Sequence, residues 1–95
     1  MGGHNMNKFL RCVKKDFNRH GPNSKMFLEG RMYRIIQDSQ YSFQVVDELN
    51  RIRVVGKDFM KFSIYGGDAM KCQPTGYAYF EEVIEISRHT QTVMR

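Results

Sequence analysis

Tryptophan is absent from this chain, and cysteine occurs only twice in ninety-five residues. Cys12 and Cys72 lie far apart in the sequence and form no disulfide framework of the sort that staples small secreted domains. Both are expected to be reduced thiols, since nothing local supports a bridge between them. The three histidines and two cysteines are scattered. A zinc site needs paired ligands a few residues apart, so no metal and no cofactor is expected. Apolar residues never run more than a few together, far short of the ~20 that a membrane-spanning helix takes. No apolar leader of adequate length opens the chain. The expected compartment is therefore the cytosol, with no membrane partner. Met1 to Asn5 precede a second methionine, Met6, and are expected to be an added remnant outside the fold.

What the chain does have is alternation. Ninety-five residues suit one domain, and the apolar (41%) and charged (26%) fractions are those of a folded one. A chain this short buries only ~60% of its unfolded surface, so each apolar residue counts. A first strand is expected over Lys8–Lys14. A donor-rich loop follows from Lys15 to Lys25, punctuated by Gly21-Pro22-Asn23-Ser24. Gly30 sits where the backbone needs a positive φ or a close approach. Tyr33 and Ile35 then share one face, with Arg34 and Ile36 on the other. Phe43 and Val45 face inward in the next strand. Asp47-Glu48-Leu49-Asn50 forms a polar turn, and the return strand runs Arg51–Val55. Its alternation puts Ile52 and Val54 inward and both Arg51 and Arg53 outward. Gly56–Phe62 is expected to be one helical turn bringing Phe59 and Phe62 to the same side, and Ser63–Tyr65 a short strand. Tyr77–Ser87 carries both strand and helix spacings, with strand favoured by its aromatics. The last seven residues are expected to fray.

Charge is unevenly spread. Residues 1–37 carry eight Lys/Arg against two acids, residues 38–62 four of each, and residues 63–95 three against four, which sums to the net +5. The basic excess bears on partners and association rather than on fold. Its candidate binding residues are Lys14, Lys15, Arg19, Lys25, Arg34, Arg51 and Arg53. Guanidinium forks and ammonium groups so placed suit an acidic protein surface, or alternatively nucleic acid, with Tyr41 and Phe17 available for stacking. Either complex should weaken with salt.

Catalytic patterns are missing. Cys12, Cys72, His20 and His89 show no nucleophile–base arrangement. Glu81, Glu82 and Glu85 sit in a surface pattern and are expected to be a solvated face. Gly66-Gly67-Asp68 lacks the lysine and the strand–loop–helix setting of a phosphate loop and is expected to be a turn. A non-enzymatic binding module is the expectation. Met26, Met32, Met60 and Met70 are expected to fill an irregular core.

The order of elements from Phe9 to Ile64 resembles the SH3-like barrel. The stretch Gly30-x-x-Tyr33-x-Ile35, Phe43-x-Val45-x-Asp47, Arg51-x-Arg53-Val54 resembles small SH3-like proteins of bacteriophage and prophage type. The resemblance implies an all-β fold: a barrel core over residues 6–64, and a C-terminal extension over 65–95 packing on it as strand or short helix. It also marks a departure. SH3 domains that read proline-rich peptides pair an aromatic groove containing tryptophan with an acidic first loop. This chain has no Trp, and its first loop carries Lys14, Lys15, Arg19, His20 and Lys25 against Asp16, which is the wrong sign for basic proline-rich ligands.

Overall fold

Among the described residues, alternation along the chain becomes seven β-strands: β1 Met6–Phe17, β2 Met32–Asp38, β3 Ser42–Val46, β4 Ile52–Gly56, β5 Lys61–Ile64, β6 Gly76–Ile86 and β7 His89–Thr92. The computed structural model describes residues 6–17, 25–65, 74–86 and 89–94, and no helix occurs among them. The strands pair antiparallel in the order β4-β3-β2-β1-β6-β5, with β7 added to β6. β4 approaches β5 across the remaining gap, so the six strands make a nearly closed barrel, consistent with the SH3-like type.

The position of β6 differs from the expected extension. It lies between β1 and β5 and pairs with β1 from Met6↔Ile86 to Phe17↔Gly76. Ala78 and Phe80 are core residues, so the barrel does not end at residue 64. β5 is four residues long and pairs with Gly76–Tyr79 of β6. The strand reading of Tyr77–Ser87 holds, with β6 at Gly76–Ile86. The C-terminal segment expected to fray instead forms β7 on Val83–Ile86. Between β5 and β7, Phe80 N–H donates to Met60 O (2.8 Å) and Val93 N–H to Glu82 O (2.8 Å). One edge of β6 is thus covered by two segments, Met60–Ile64 and His89–Val93, which leaves little of it open to stray pairing.

Two bulges help curl the walls. β1 shifts register between Cys12 and Lys14, and β2 between Ile35 and Gln37. The extra residues, Val13 and Ile36, are left exposed, as inserted residues that bend a strand often are. Phe27 closes the interior. It is fully buried and meets Tyr33, Phe62 and Phe80 edge-on at 5.0, 5.6 and 4.8 Å between ring centroids. Gly30 supplies the expected positive φ of 84°, and its N–H donates to Cys12 O (2.7 Å), pinning the loop to β1. Met26 is buried and Met60 packs against the core, whereas Met32 is exposed and Met70 lies outside the described residues.

The Gly56–Phe62 turn departs from expectation. Met60 N–H closes it onto Gly56 O (3.1 Å), but Met60 itself adopts a left-handed φ of 52°. That residue redirects the chain, so Phe59 stays in solvent while Phe62 packs against the core.

Cys12 is a free, fully buried thiol, and burial pushes its pKa up to about 11. Only the thiolate reacts. In a chain with Cys72→Ser, labelling of Cys12 at pH 8 should therefore proceed only at the rate of opening, and full labelling should require denaturant. The folded pKa is raised, so this group's contribution to stability is complete below the ~8.5 of an unfolded thiol and is lost as pH rises toward the folded value. Labelling as fast as that of a free thiol would contradict this packing.

Candidate functional site

The outer wall of β2–β3–β4 carries an apolar face with unpaired cations beside it. The β3–β4 register decides which side chains lie there. Phe43 pairs with Val55 and Val45 with Arg53, and directly opposed residues share a face. Phe43, Val45 and Val55 are fully buried, so Arg53 turns inward with them. Ile52 and Val54 then point out and are 60% and 53% exposed. This corrects the expectation that Arg51 and Arg53 share an outward face over inward Ile52 and Val54. The slip is one residue, which is enough to exchange the two faces of a strand.

Arg53 is structural. Its Nε donates to Asp47 Oδ2 (2.8 Å), and its guanidinium lies 5.8 Å from the Phe62 ring centroid, across the β4–β5 gap. Asp47 is buried, which pushes its carboxyl pKa up, but the bonds from Arg53 and from the Arg51 and Leu49 N–H groups outweigh that and hold it low. Several other cations are also occupied. Lys8 and Lys57 share Asp38, whose pKa the Lys57 contact above all holds low. Arg11 pairs with Glu81, and Arg31 pairs with Glu48. Glu48 also accepts the Tyr33 hydroxyl (2.7 Å), which ties the turn to the Met26–Arg31 loop.

The remaining expected site residues separate. Arg34 and Arg51 are exposed with no side-chain ion pair among the described residues, and Lys25 is exposed at the end of the loop. Lys14 lies on the other wall, 5.9 Å from the Tyr79 ring centroid. Lys15 is half-buried, and its N–H donates to Glu29 Oε1 (2.8 Å). Arg19, the Gly21–Ser24 loop, His20, Cys72, Gly66–Asp68 and the Phe17 side chain lie outside the described residues. The expected basic residues do not share one face: Lys14 lies on the outer side of β1 and Arg34 on that of β2, whereas Lys15 opposes the core residue Ala78 and Arg51 the buried Asp47. Glu82, expected in a solvated face, is buried.

The β2–β3–β4 face has Ile36, Val46, Ile52 and Val54 as its apolar part, with Gln37 opposite Gln44 and Gln44 opposite Val54. Arg34 lies on it, and Arg51, which opposes Asp47 at the turn, is exposed at its end beside Ile52. Among the described residues no free carboxylate lies on it: Asp38 is held by two lysines and Asp47 is inside. Alternation alone missed this face, but the sequence held a signal. Each strand of the wall contains an adjacent apolar pair (Ile35-Ile36, Val45-Val46, Val54-Val55), and since neighbours in a strand point to opposite faces, one member of each must point out.

Two open depressions border the wall. One of ≈ 220 Å³ is lined by Asn7, Lys8 and Arg34–Asp38, the other of ≈ 490 Å³ by Gln40, Tyr41 and Gly56–Asp58. Neither brings a cysteine or histidine to its surface. Among the described residues no three His, Cys, Asp or Glu are placed to hold a metal ion, and no helix is long and apolar enough to cross a membrane. Comparison with family models, curated proteins and solved structures returns no match to this chain.

Proposed function

We propose that this protein is a non-enzymatic binding module, an accessory protein of phage or prophage type, that docks an acidic protein surface on the outer wall of β2–β3–β4. The observation that carries this reading is the exposed Ile36–Ile52–Val54 cluster with Arg34 on the face and exposed Arg51 at its end, and no free acid on the face among the described residues. Protein interfaces combine an apolar centre with a polar rim, and arginine is enriched in them. A partner that matches this face offers apolar side chains ringed by carboxylates. Nucleic acid fits the same face less well, because stacking needs aromatic surfaces and the face has none; Tyr41 lies beyond it, by the Gly56–Asp58 turn.

Affinity capture from host lysate tests the reading, with the wild type compared against Ile52→Glu and against the double variant Arg34→Glu/Arg51→Glu. Ile52→Glu, at the most exposed apolar residue of the cluster, should weaken capture by about thirtyfold, the equivalent of a ~2 kcal/mol hot-spot loss. The double reversal should abolish capture, and wild-type capture should fall as salt rises. Equal recovery by all three folded proteins would reject this wall as the contact surface.

A further inference from the structure

We infer that the opposite wall, the outer face of β1–β6–β5, is a second binding site that takes single-stranded nucleic acid. In the six-strand order β6 lies three strands from β3, so this wall faces away from the one described above. Along β6, Gly76, Ala78 and Phe80 are buried while Tyr77 and Tyr79 lie outward, half-buried. The strand spends its smallest side chain on the interior and two of its largest on the surface. Core packing alone favours the reverse, since large apolar area stabilises most when buried.

The neighbours of the two tyrosines form a continuous row. Lys14 of β1 and Lys61 of β5 are the register partners of Tyr79. Lys61 Nζ lies 4.5 Å from the Tyr77 ring centroid and 5.4 Å from that of Phe59, which is 72% exposed. Lys14 Nζ lies 5.9 Å from the Tyr79 centroid, and the Tyr77 and Tyr79 centroids are 6.3 Å apart. The order across the wall is thus Phe59, Lys61, Tyr77, Tyr79, Lys14. Single-strand binders combine these two elements, ring faces for bases and cations for the backbone. The ring spacing is about twice the ~3.4 Å step of a stacked strand, so successive bases must unstack and splay, which a single strand does and a duplex does not. The lysines that cover the rings in the free protein are free to swing to phosphate when bases arrive, because an exposed cation–π contact is weaker than base stacking.

An acidic group beside the rings opposes the ligand. Asp16 is exposed and sits opposite Tyr77. Glu81 does not, being neutralised by Arg11.

The test uses the full chain and a labelled single strand of about sixteen nucleotides, the upper size of a compact site. Binding is read by anisotropy and by quenching of tyrosine emission, which is unobscured because the chain lacks tryptophan. Expected are a dissociation constant of ~10⁻⁶ to 10⁻⁴ M, in the non-specific range, and a log–log salt slope of about −1.4 from two lysine–phosphate contacts. The matching duplex should bind at least about tenfold more weakly. Tyr77→Thr/Tyr79→Thr keeps β-branched side chains suited to a strand but should lose about tenfold or more in affinity. Tyr79→Phe should retain affinity, Lys14→Glu/Lys61→Glu should abolish binding, and Asp16→Asn should tighten it. Arg34→Glu/Arg51→Glu should change nothing, which separates this site from the protein-docking wall. No binding at low salt, equal affinity for duplex, unchanged affinity in the folded tyrosine variant, or loss on changing Arg34 and Arg51 instead would each overturn the inference.

Discussion

Asp47→Ala is expected to cost ~3–5 kcal/mol of folding free energy, the penalty for removing one partner of a buried ion pair. A domain of this size has only about 5–14 kcal/mol in all, so the variant should unfold at markedly lower urea concentration. Three contacts vanish together. Asp47 Oδ1 accepts the N–H groups of Leu49 and Arg51 (2.9 Å each), and Oδ2 accepts Arg53 Nε (2.8 Å). Alanine leaves two turn donors without their acceptor and an inward-facing guanidinium without its counter-charge. Asp47→Asn keeps an oxygen for the turn and should cost less, about 1–2 kcal/mol. The pH dependence follows from the low folded pKa values of Asp47 and Asp38. In the unfolded chain these groups titrate near ~3.9. Their contribution is therefore present above that value and is lost as pH falls below it toward the folded pKa. Urea midpoints should be flat from neutrality down to about pH 5 and drop below about pH 4. In Asp47→Ala that acid-side drop should shrink. A full acid-side drop in the variant would show that other carboxylates carry it.

Asp47 also shows where the sequence was readable and where it was not. The strands were readable because their alternation is strong at Tyr33/Ile35 and Phe43/Val45, and the Asp47–Asn50 turn follows from its composition. The face of β4 was not. Val54-Val55 offers either parity, and choosing Val54 as the inward residue turns Arg53 out. What resolves the parity is non-local: Val55 opposes Phe43, and Asp47 provides the charge that lets Arg53 face inward. The place of β6 was hidden for a similar reason. A barrel of this type is expected to close after its fifth strand, and no local pattern says that a later strand will insert between the first and the fifth. The fraying expected for the C-terminus failed likewise, since β7 is held by the edge of β6 rather than by its own polar sequence.

The two proposed walls follow from what local patterns omit. A residue such as Ile52 or Tyr79 is expected inside when read one strand at a time, because burial is the commonest use of a large apolar side chain. Both lie outside because the interior is already filled, by Val55 and Val45 on one wall and by Ala78 and Phe80 on the other. A barrel of this size has room for one layer of side chains, and the surplus is displaced to the surface.

That filled interior makes Phe27→Ala the second variant with a large expected effect, a loss of ~3–5 kcal/mol. Phe27, with Phe43 one of the two largest fully buried side chains among the described residues, stands edge-on to three rings. It comes from the loop before β2 rather than from a strand, so its removal opens a cavity between Tyr33, Phe62 and Phe80 without breaking a ladder hydrogen bond. Phe27→Leu should recover most of the loss, because volume-conserving apolar swaps usually cost less than about 1.5 kcal/mol. The ring geometry predicts a further signature. In a double-mutant cycle, Phe27→Leu with Tyr33→Leu should show a coupling of about 0.5–1.5 kcal/mol, the worth of an edge-to-face pair beyond its area. Tyr33 also holds Glu48 and Leu28 by hydrogen bonds, and the cycle removes these from the coupling only where they are independent of residue 27. Tyr33→Phe supplies that control: it deletes the hydroxyl bonds and keeps the ring, so Phe27→Leu should cost the same in it as in the wild type. Urea denaturation read by far-ultraviolet circular dichroism gives all the numbers. A coupling near zero would mean that Phe27 acts by volume alone, and a loss under ~1 kcal/mol on Phe27→Ala would mean that the loop carrying it does not close the barrel in solution.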